Sequence, residues 1–382
     1  MIRPSSTPRT ITLLAVVVLV LAGMRLVLPH PGGKAPAPDA VPAPEASPPR
    51  PDAEAEAAVA WAERFLDRHV GDDGRVVRTD QGGDTVSEGQ AWALLVAVAV
   101  DDEERAATIA RWTEANLAGD DGLLAWRWAE GEVVDATPAT DADLVHAWAL
   151  AMGADAFDRP DWDRRATEVL TALDTAATVD LPDGPLLAAG PWALDDDGAV
   201  VNPSYLWPAA LRFAEDRAPV LDGALAAATD LFDRLVHDTT PLVPDWLHVD
   251  GDGTPTSTGP PSDPGAPPQH GLDAVRTWLW LGTDCDPDVR ALAAPAHDRF
   301  AADPTAVVAV HDLGGAGTVE WRHAATLAGA AGAAHAAGDD DATRARLATA
   351  RSLEERHPSY YGAAVTALAG LLLDTGRVHD CA

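Results

Sequence analysis

The chain has almost no lysine, and this shortage restricts what it can bind. Lys34 is the single lysine among 382 residues, whereas aspartate and glutamate together number 60. The formal net charge is therefore −33 at pH 7. Such a chain repels nucleic acid, because binding to phosphates requires Lys and Arg to neutralise them. A cationic substrate, a saline habitat or an acid-rich proteome would each fit this charge.

Cysteine is also scarce, which excludes two further classes of protein. Cys285 and Cys381 are too few for a disulfide scaffold or a structural zinc site. In an exported protein they could form one bridge that holds the C-terminus. The twelve histidines show neither an HExxH pattern nor closely spaced pairs. We therefore predict no metal and no cofactor.

The N-terminal part of the chain is typical of an export segment. Arg3 and Arg9 precede an apolar run that continues to Leu28. This pattern predicts a signal peptide or signal anchor over residues 1–28, with the rest of the chain outside the cytoplasm. Residues 29–53 are rich in Pro and Ala and predict an extended linker. We expect an extracellular or cell-surface protein whose contact with the membrane is limited to this N-terminal segment.

Residues 54–382 predict one all-α domain, because helical periodicity recurs throughout and strands are scarce. Twelve helices are expected, at 54–70, 87–100, 103–117, 141–154, 162–176, 203–215, 221–237, 271–282, 287–301, 321–337, 341–352 and 360–374. Short and long loops alternate, and the helices that follow long loops are the more apolar ones, which indicates burial. This alternation favours an (α/α)6 barrel of six inner and six outer helices over an α-solenoid or an irregular helical domain. The N-termini of the inner helices would then lie together at one mouth.

Acidic residues occur at the predicted starts of three inner helices. Ser87 and Gln90 have the spacing of a capping box, which places Glu88 in the first turn. There the helix dipole stabilises the charged form, so an acid role for Glu88 would need burial or a neighbouring carboxylate. Asp141 follows Thr140, a possible cap with Asp143 at the reciprocal position.

The fourth inner helix supplies the third carboxylate. Asp273 and Arg276 are three residues apart on one predicted helix face, where they could also form only a local ion pair. Two positioned carboxyl groups are the minimum for acid/base cleavage of a glycosidic bond. Several aromatic residues near the mouth, in long loops or at a helix start, could stack on sugar rings: Trp126, Trp128, Trp192, Tyr205 and Trp246.

Six segments, in order, resemble glycoside hydrolase family 8 from about residue 54 to residue 375. They are DQGGDTVSEGQAWALL (80–95), DGLLAWRW (121–128), PATDADL (138–144), NPSY (202–205), DAVR (273–276) and the pair Tyr360-Tyr361. The resemblance implies an (α/α)6 barrel and an inverting mechanism on β-1,4-linked glycans. It places the proton donor on Glu88, the general base on Asp273 and the first Asp of the family signature on Asp141. His146 and Leu272 depart from the residues usual in the family.

We therefore predict an inverting endo-β-1,4-glucanase, similar to the endoglucanases of bacterial cellulose synthesis, that acts as a monomer on a β-1,4-linked polysaccharide. Glu88, Asp273 and Asp141 are the predicted catalytic residues. The predicted substrate-binding residues are Arg276, Tyr205, Trp126, Trp128, Asn202, Asp143 and Tyr361. One alternative is a chitosanase or another β-1,4-glycanase of the same family. Others are a non-catalytic polysaccharide-binding protein at the cell surface and a cyclase or epimerase on an α/α toroid.

Overall fold

The computed structural model describes residues 51–218, 221–239, 242–300, 307–379 and 381. Thirteen α-helices lie within these residues: α1 Pro51–His69, α2 Ser87–Ala99, α3 Glu103–Asn116, α4 Thr140–Phe157, α5 Pro160–Ala177, α6 Pro208–Arg217, α7 Ala224–Arg234, α8 Val275–Gly282, α9 Pro287–Ala291, α10 Ala294–Arg299, α11 Ala324–Ala336, α12 Asp340–Arg356 and α13 Tyr360–Asp374. The predicted export segment and residues 29–50 of the predicted linker lie outside the described residues. Helix α1 begins at Pro51, within the last residues assigned to that linker.

Six helices form a closed inner ring. In order they are α2, α4, α6, α8, α11 and α13; each packs on the next, and α13 packs on α2. Helices α1, α3, α5, α7, α9 with α10, and α12 lie outside this ring against their inner partners. The predicted (α/α)6 barrel is therefore confirmed.

The composition of the inner helices explains why they are inside. Every residue of α2 is buried except Glu88, and α11 is buried continuously from Ala324 to Ala334. Helix α11 consists largely of Ala and Gly, which lets it lie close to α8. A Cβ atom at Gly329 would collide with the carbonyl oxygen of Val275, so the spacing of these two helices depends on that glycine.

Three predicted helices differ from those observed. Residues 203–205 form a 3₁₀ turn, and α6 begins only at Pro208, because a proline disfavours helical backbone in the residue before it. The predicted helix 287–301 is divided into α9 and α10, with Pro295 in the first turn of α10. Helix α8 begins at Val275 instead of residue 271, so Asp273 lies in the turn before it.

The long loops contain short antiparallel strands where the sequence predicted loop. The strands are β1 Thr85–Val86, β2 Arg127–Ala129, β3 Glu132–Asp135, β4 Thr178–Leu181, β5 Gly184–Leu187, β6 Gly198–Val201, β7 Trp246–Asp250 and β8 Pro255–Thr258. They pair in the orders β1-β2-β3, β4-β5 and β6-β7-β8. Strand β1 leads directly into α2, so this pairing fixes the direction in which α2 begins.

A disulfide joins Cys285, just after α8, to Cys381 near the end of the chain. The sequence did not decide whether these two cysteines pair, and the structure shows that they do. Among the described helices, none is long and apolar enough to cross a membrane.

Candidate active site

Arg276 brings three carboxylates together at the mouth of the barrel. Its buried guanidinium donates through Nη1 to Oε2 of Glu88 (2.6 Å) and to Oδ2 of Asp141 (3.3 Å). Its Nη2 donates to Oγ of Ser204 (2.8 Å) and lies 3.7 Å from Oδ1 of Asp273. The three predicted catalytic residues come from α2, α4 and the turn before α8, and a single cation contacts all of them.

The predicted capping boxes at α2 and α4 are wrong. Oγ of Ser87 is buried and has no hydrogen-bond partner among the described atoms, and Gln90 instead accepts the N–H of Val76. Thr140 donates to the carbonyl of Ala188 and does not cap its own helix. These side chains attach the inner helices to neighbouring loops, so the loops fix where α2 and α4 begin.

Glu88 combines burial with a strongly charged environment. Its side chain is 19% exposed. Burial, followed by the negative charges of Asp141 and Asp273, raises the pKa of Glu88 to about 7, against the opposing effect of Arg276. Three carboxylates around one guanidinium would leave an excess of negative charge, so one of them retains a proton most easily. The dipole of α2 does not dominate, and Glu88 is suited to donate a proton near neutral pH.

Asp141 and Asp143 lie on the same turn of α4 but have different surroundings. Asp141 reaches Arg276 and accepts the N–H of Ala142, and burial raises its pKa. Asp143 is fully buried and accepts the N–H of Leu124 (2.8 Å). The expectation that Asp143 contacts substrate therefore conflicts with the structure, in which Asp143 anchors the loop that precedes β2.

Asp273 is the most open of the three carboxylates, with 38% of its side chain exposed. Its Oδ2 accepts a hydrogen bond from Nδ2 of Asn202 (3.2 Å), and Oδ1 of Asn202 accepts from both N–H and Oγ–H of Ser204. Asn202 is fully buried, so it orients Asp273 from beneath. Both Glu88 and Asp273 lie against one guanidinium, which keeps their nearest oxygens within the upper limit of about 9.5 Å for inverting glycosidases.

Aromatic rings extend from this centre in two rows. One row runs from Tyr205 to Trp246 (centroids 5.9 Å apart) and on to Trp192 (6.4 Å). The guanidinium of Arg276 lies 5.6 Å from the ring centre of Tyr205. Trp192, at the outer end, is 42% exposed although it is a large apolar residue. An exposed ring continuous with the carboxylates can stack on a sugar ring.

The second row begins at Trp92, beside Arg276, and ends at another exposed ring. Tyr361 lies 5.8 Å from Trp92, His323 lies 5.9 Å from Tyr361, and Trp321 lies 6.2 Å from His323. Trp321 is 45% exposed. Tyr361 was among the predicted binding residues and Trp321 was not, although a Trp at the first position of the predicted inner helix 321–337 was a usable signal.

The two predicted loop tryptophans lie in different surroundings. The backbone carbonyl of Trp126 accepts the N–H of Ser87, and its side chain is half-buried beside the start of α2. Trp128 packs edge-on against Trp112, and the guanidinium of Arg75 lies 4.3 Å from its ring centre. Trp112 and Arg75 thus contact the ring of Trp128, while both tryptophans are half-buried.

Arg276 occupies the centre of the three carboxylates. In the described part of the chain, one group of Cys and His side chains lies close enough to share a metal. It consists of Cys285, His379 and Cys381, and the disulfide occupies both sulfurs.

A carboxyl with a raised pKa and an open carboxylate at the mouth of an (α/α)6 barrel, flanked by exposed aromatic rings, are the features of a glycoside hydrolase. Residues 52–376 match the family described as glycosyl hydrolases family 8. The chain belongs to this family.

Known proteins support the same assignment. The chain is 32% identical to an endoglucanase of Xanthomonas axonopodis pv. citri (strain 306) over 275 residues, which are 66% of this chain and 69% of that protein. It is similar to the structure of an endo-β-1,4-glucanase from Acetobacter xylinum, with 27% identity, a TM-score of 0.69, and coverage of 84% of this chain and 97% of that one. A β-1,3-1,4-glucanase from Paenibacillus sp. X4 shares the fold at 15% identity, with a TM-score of 0.74 and coverage of 85% and 93%.

Proposed function

We propose that this glycoside hydrolase is an inverting endo-β-1,4-glucanase. The observation that carries the proposal is the group formed by Glu88, Asp141 and Asp273 around Arg276. In it a carboxyl that holds its proton up to about pH 7 and a more open carboxylate share one guanidinium. The relatives named endoglucanase support the choice of a β-1,4-glucan as substrate.

The proposed reaction needs one proton donor and one proton acceptor. Glu88 gives its proton to the glycosidic oxygen as the bond between that oxygen and C1 breaks. A water molecule attacks C1 from the opposite face of the ring, and Asp273 takes the proton that the water loses. Asp141 hydrogen-bonds the sugar at the cleavage point. The reaction leaves Glu88 ionised and Asp273 protonated, and exchange with solvent restores both.

The neighbours of each group support these roles. Burial and nearby negative charge favour the protonated form of Glu88. Asn202 directs one oxygen of Asp273, while the exposed part of that carboxylate can meet water. The two rows of rings end in Trp192 and Trp321 and would bind a glucan chain longer than the cleaved unit.

The residues that depart from the family pattern lie outside the acid and base positions. His146 is buried and hydrogen-bonds Glu114 (3.1 Å). Leu272 contributes its backbone carbonyl, which accepts a hydrogen bond from the hydroxyl of Tyr361 (2.8 Å). These contacts favour an active enzyme over a non-catalytic binding protein.

The net charge of −33 favours a second candidate substrate, the polycation chitosan. Release of reducing ends from carboxymethylcellulose, chitosan and xylan would distinguish these substrates. We expect the wild type to act on carboxymethylcellulose and Glu88→Gln to be inactive yet still bind it. Glu355→Gln, which changes an exposed residue on α12, is the matched control and should keep full activity. Full activity in Glu88→Gln would refute the assignment of Glu88 as the acid. Faster hydrolysis of chitosan than of carboxymethylcellulose would show that chitosan is the substrate instead.

We also propose that the enzyme is exported and works as a monomer outside the cytoplasm or at the cell surface. The disulfide supports this location, because such bonds persist in oxidising compartments. Cell fractionation with and without residues 1–28 tests the location, and sedimentation of the purified protein tests the monomer.

A further inference from the structure

Another buried carboxyl, Asp245, lies just before β7 and outside the group around Arg276. Its Oδ1 accepts two backbone hydrogen bonds, from the N–H of Gly271 (2.9 Å) and the N–H of Ala274 (2.9 Å). Its Oδ2 accepts from Nε2 of Gln269 (3.0 Å). One carboxylate oxygen thus holds both ends of the turn that contains Asp273.

This contact explains the local backbone. Asp245 accepts hydrogen bonds from N–H groups before α8 that would otherwise have no partner, and the helix begins only at Val275. A Cβ atom at position 271 would collide with Oδ2 of Asp245, so the close approach requires Gly271. Tyr361 and Asn202 also hold this turn, but each contacts it at a single residue, Leu272 and Asp273 respectively.

Asp245 is also a titratable group beside Asp273. Burial and then the negative charge of Asp273 raise the pKa of Asp245 to about 7. Tyr361 on α13 also faces Asp245. Because this pKa is near 7, Asp245 is mostly uncharged at acidic pH, and it acts on the turn through its hydrogen bonds.

We propose that Asp245 is a positioning residue for the reaction, whose hydrogen bonds hold the turn that carries Asp273. The proposal rests on the proposed function only where it concerns kcat, because the hydrogen bonds to the turn do not depend on which reaction is catalysed.

Two substitutions separate the hydrogen bonds of Asp245 from its charge. Asp245→Asn keeps an oxygen that can accept both backbone N–H groups but removes the charge. We expect it to keep the hydrogen exchange protection of residues 270–275 and to leave kcat and the acidic limb of the kcat/KM profile close to those of wild type. Asp245→Ala should lose that protection and lower kcat about 100-fold, with KM within about 2-fold of wild type.

Gln269→Ala is the matched control, because it removes the contact to Oδ2 and leaves both bonds to Oδ1. It should keep the exchange protection and the wild-type pH profile. Unchanged protection in Asp245→Ala would overturn the positioning role, and a loss of kcat in Asp245→Asn as large as that in Asp245→Ala would show that the hydrogen bonds are not what this role depends on. If Asp245→Ala does not fold, loss of protection in Asp245→Asn would equally overturn the proposal that its oxygen holds the turn. A wild type that hydrolyses no glucan would refute the proposed function, while the exchange measurement would still decide the positioning role.

Discussion

Replacing Glu88 by Gln should stabilise the protein while it abolishes activity. A carboxyl whose pKa is raised by folding favours the folded state in its neutral form and opposes it in its charged form. The stability that the neutral form contributes is complete below about pH 4.5 and is lost as the pH rises toward 7. Gln cannot ionise, so Glu88→Gln avoids this loss.

The size of the effect follows from the two pKa values of Glu88. A rise from 4.5 to about 7 corresponds to a cost of about 2 to 3 kcal/mol at pH 7. The side chain is only 19% exposed, so solvent screens this cost little. At pH 4 the two proteins should have nearly equal free energies of unfolding, and by pH 7.5 Glu88→Gln should exceed wild type by that amount.

Urea unfolding monitored by tryptophan fluorescence, at several pH values from 4 to 7.5, measures this difference. Burial also raises the pKa of Glu354 to about 7, but Glu354 lies outside the group around Arg276 and is present in both proteins, so its titration cancels. Glu355→Gln, at an exposed site, should show no gain that grows with pH. A difference for Glu88→Gln that is independent of pH, or a loss of stability at pH 7.5, would refute the electrostatic reasoning.

Three further predictions concern other parts of the molecule. Arg276→Lys should lower kcat/KM on carboxymethylcellulose about 100-fold, because a single ammonium cannot replace a planar group that contacts three carboxylates and Ser204; near-normal kinetics would contradict this. Trp192→Ala should raise KM for long glucans about 2- to 10-fold and leave kcat almost unchanged, and an unaltered KM would remove Trp192 from the substrate path. Cys285→Ser should lower the free energy of unfolding in urea by about 2 to 4 kcal/mol, because the bridge closes a sequence separation of 96 residues, and reduced wild type should match it.

Much of the barrel could be predicted from the sequence, because burial of inner helices leaves a strong compositional signal. The unbroken apolar run of α2 and the Ala-rich α11 are buried as expected. Side-chain hydrogen bonds at the helix starts were harder to predict, because contacts with distant residues compete with local capping. Ser87 and Gln90 have the spacing of a capping box, yet Gln90 bonds to a loop residue far from that cap.

The three carboxylates could be placed at one mouth because each lies in the first turn of an inner helix or in the turn just before one. Their shared contact with Arg276 could not, since the sequence suggested only a local pair with Asp273. Asp245 was missed for a similar reason, because its partners lie 24 to 29 residues away along the chain. Helix periodicity carries no information on such contacts.

We propose that Glu88 and Asp273 together cleave a β-1,4-glucan with inversion. Proton NMR of cellohexaose during the first minutes of hydrolysis tests it most directly, because the new reducing end appears before mutarotation mixes the anomers. We expect the α-anomer to appear first, and neither Glu88→Gln nor Asp273→Asn to produce it. An initial β-anomer would show retention of configuration and contradict the assignment of Asp273 as a base that acts through water.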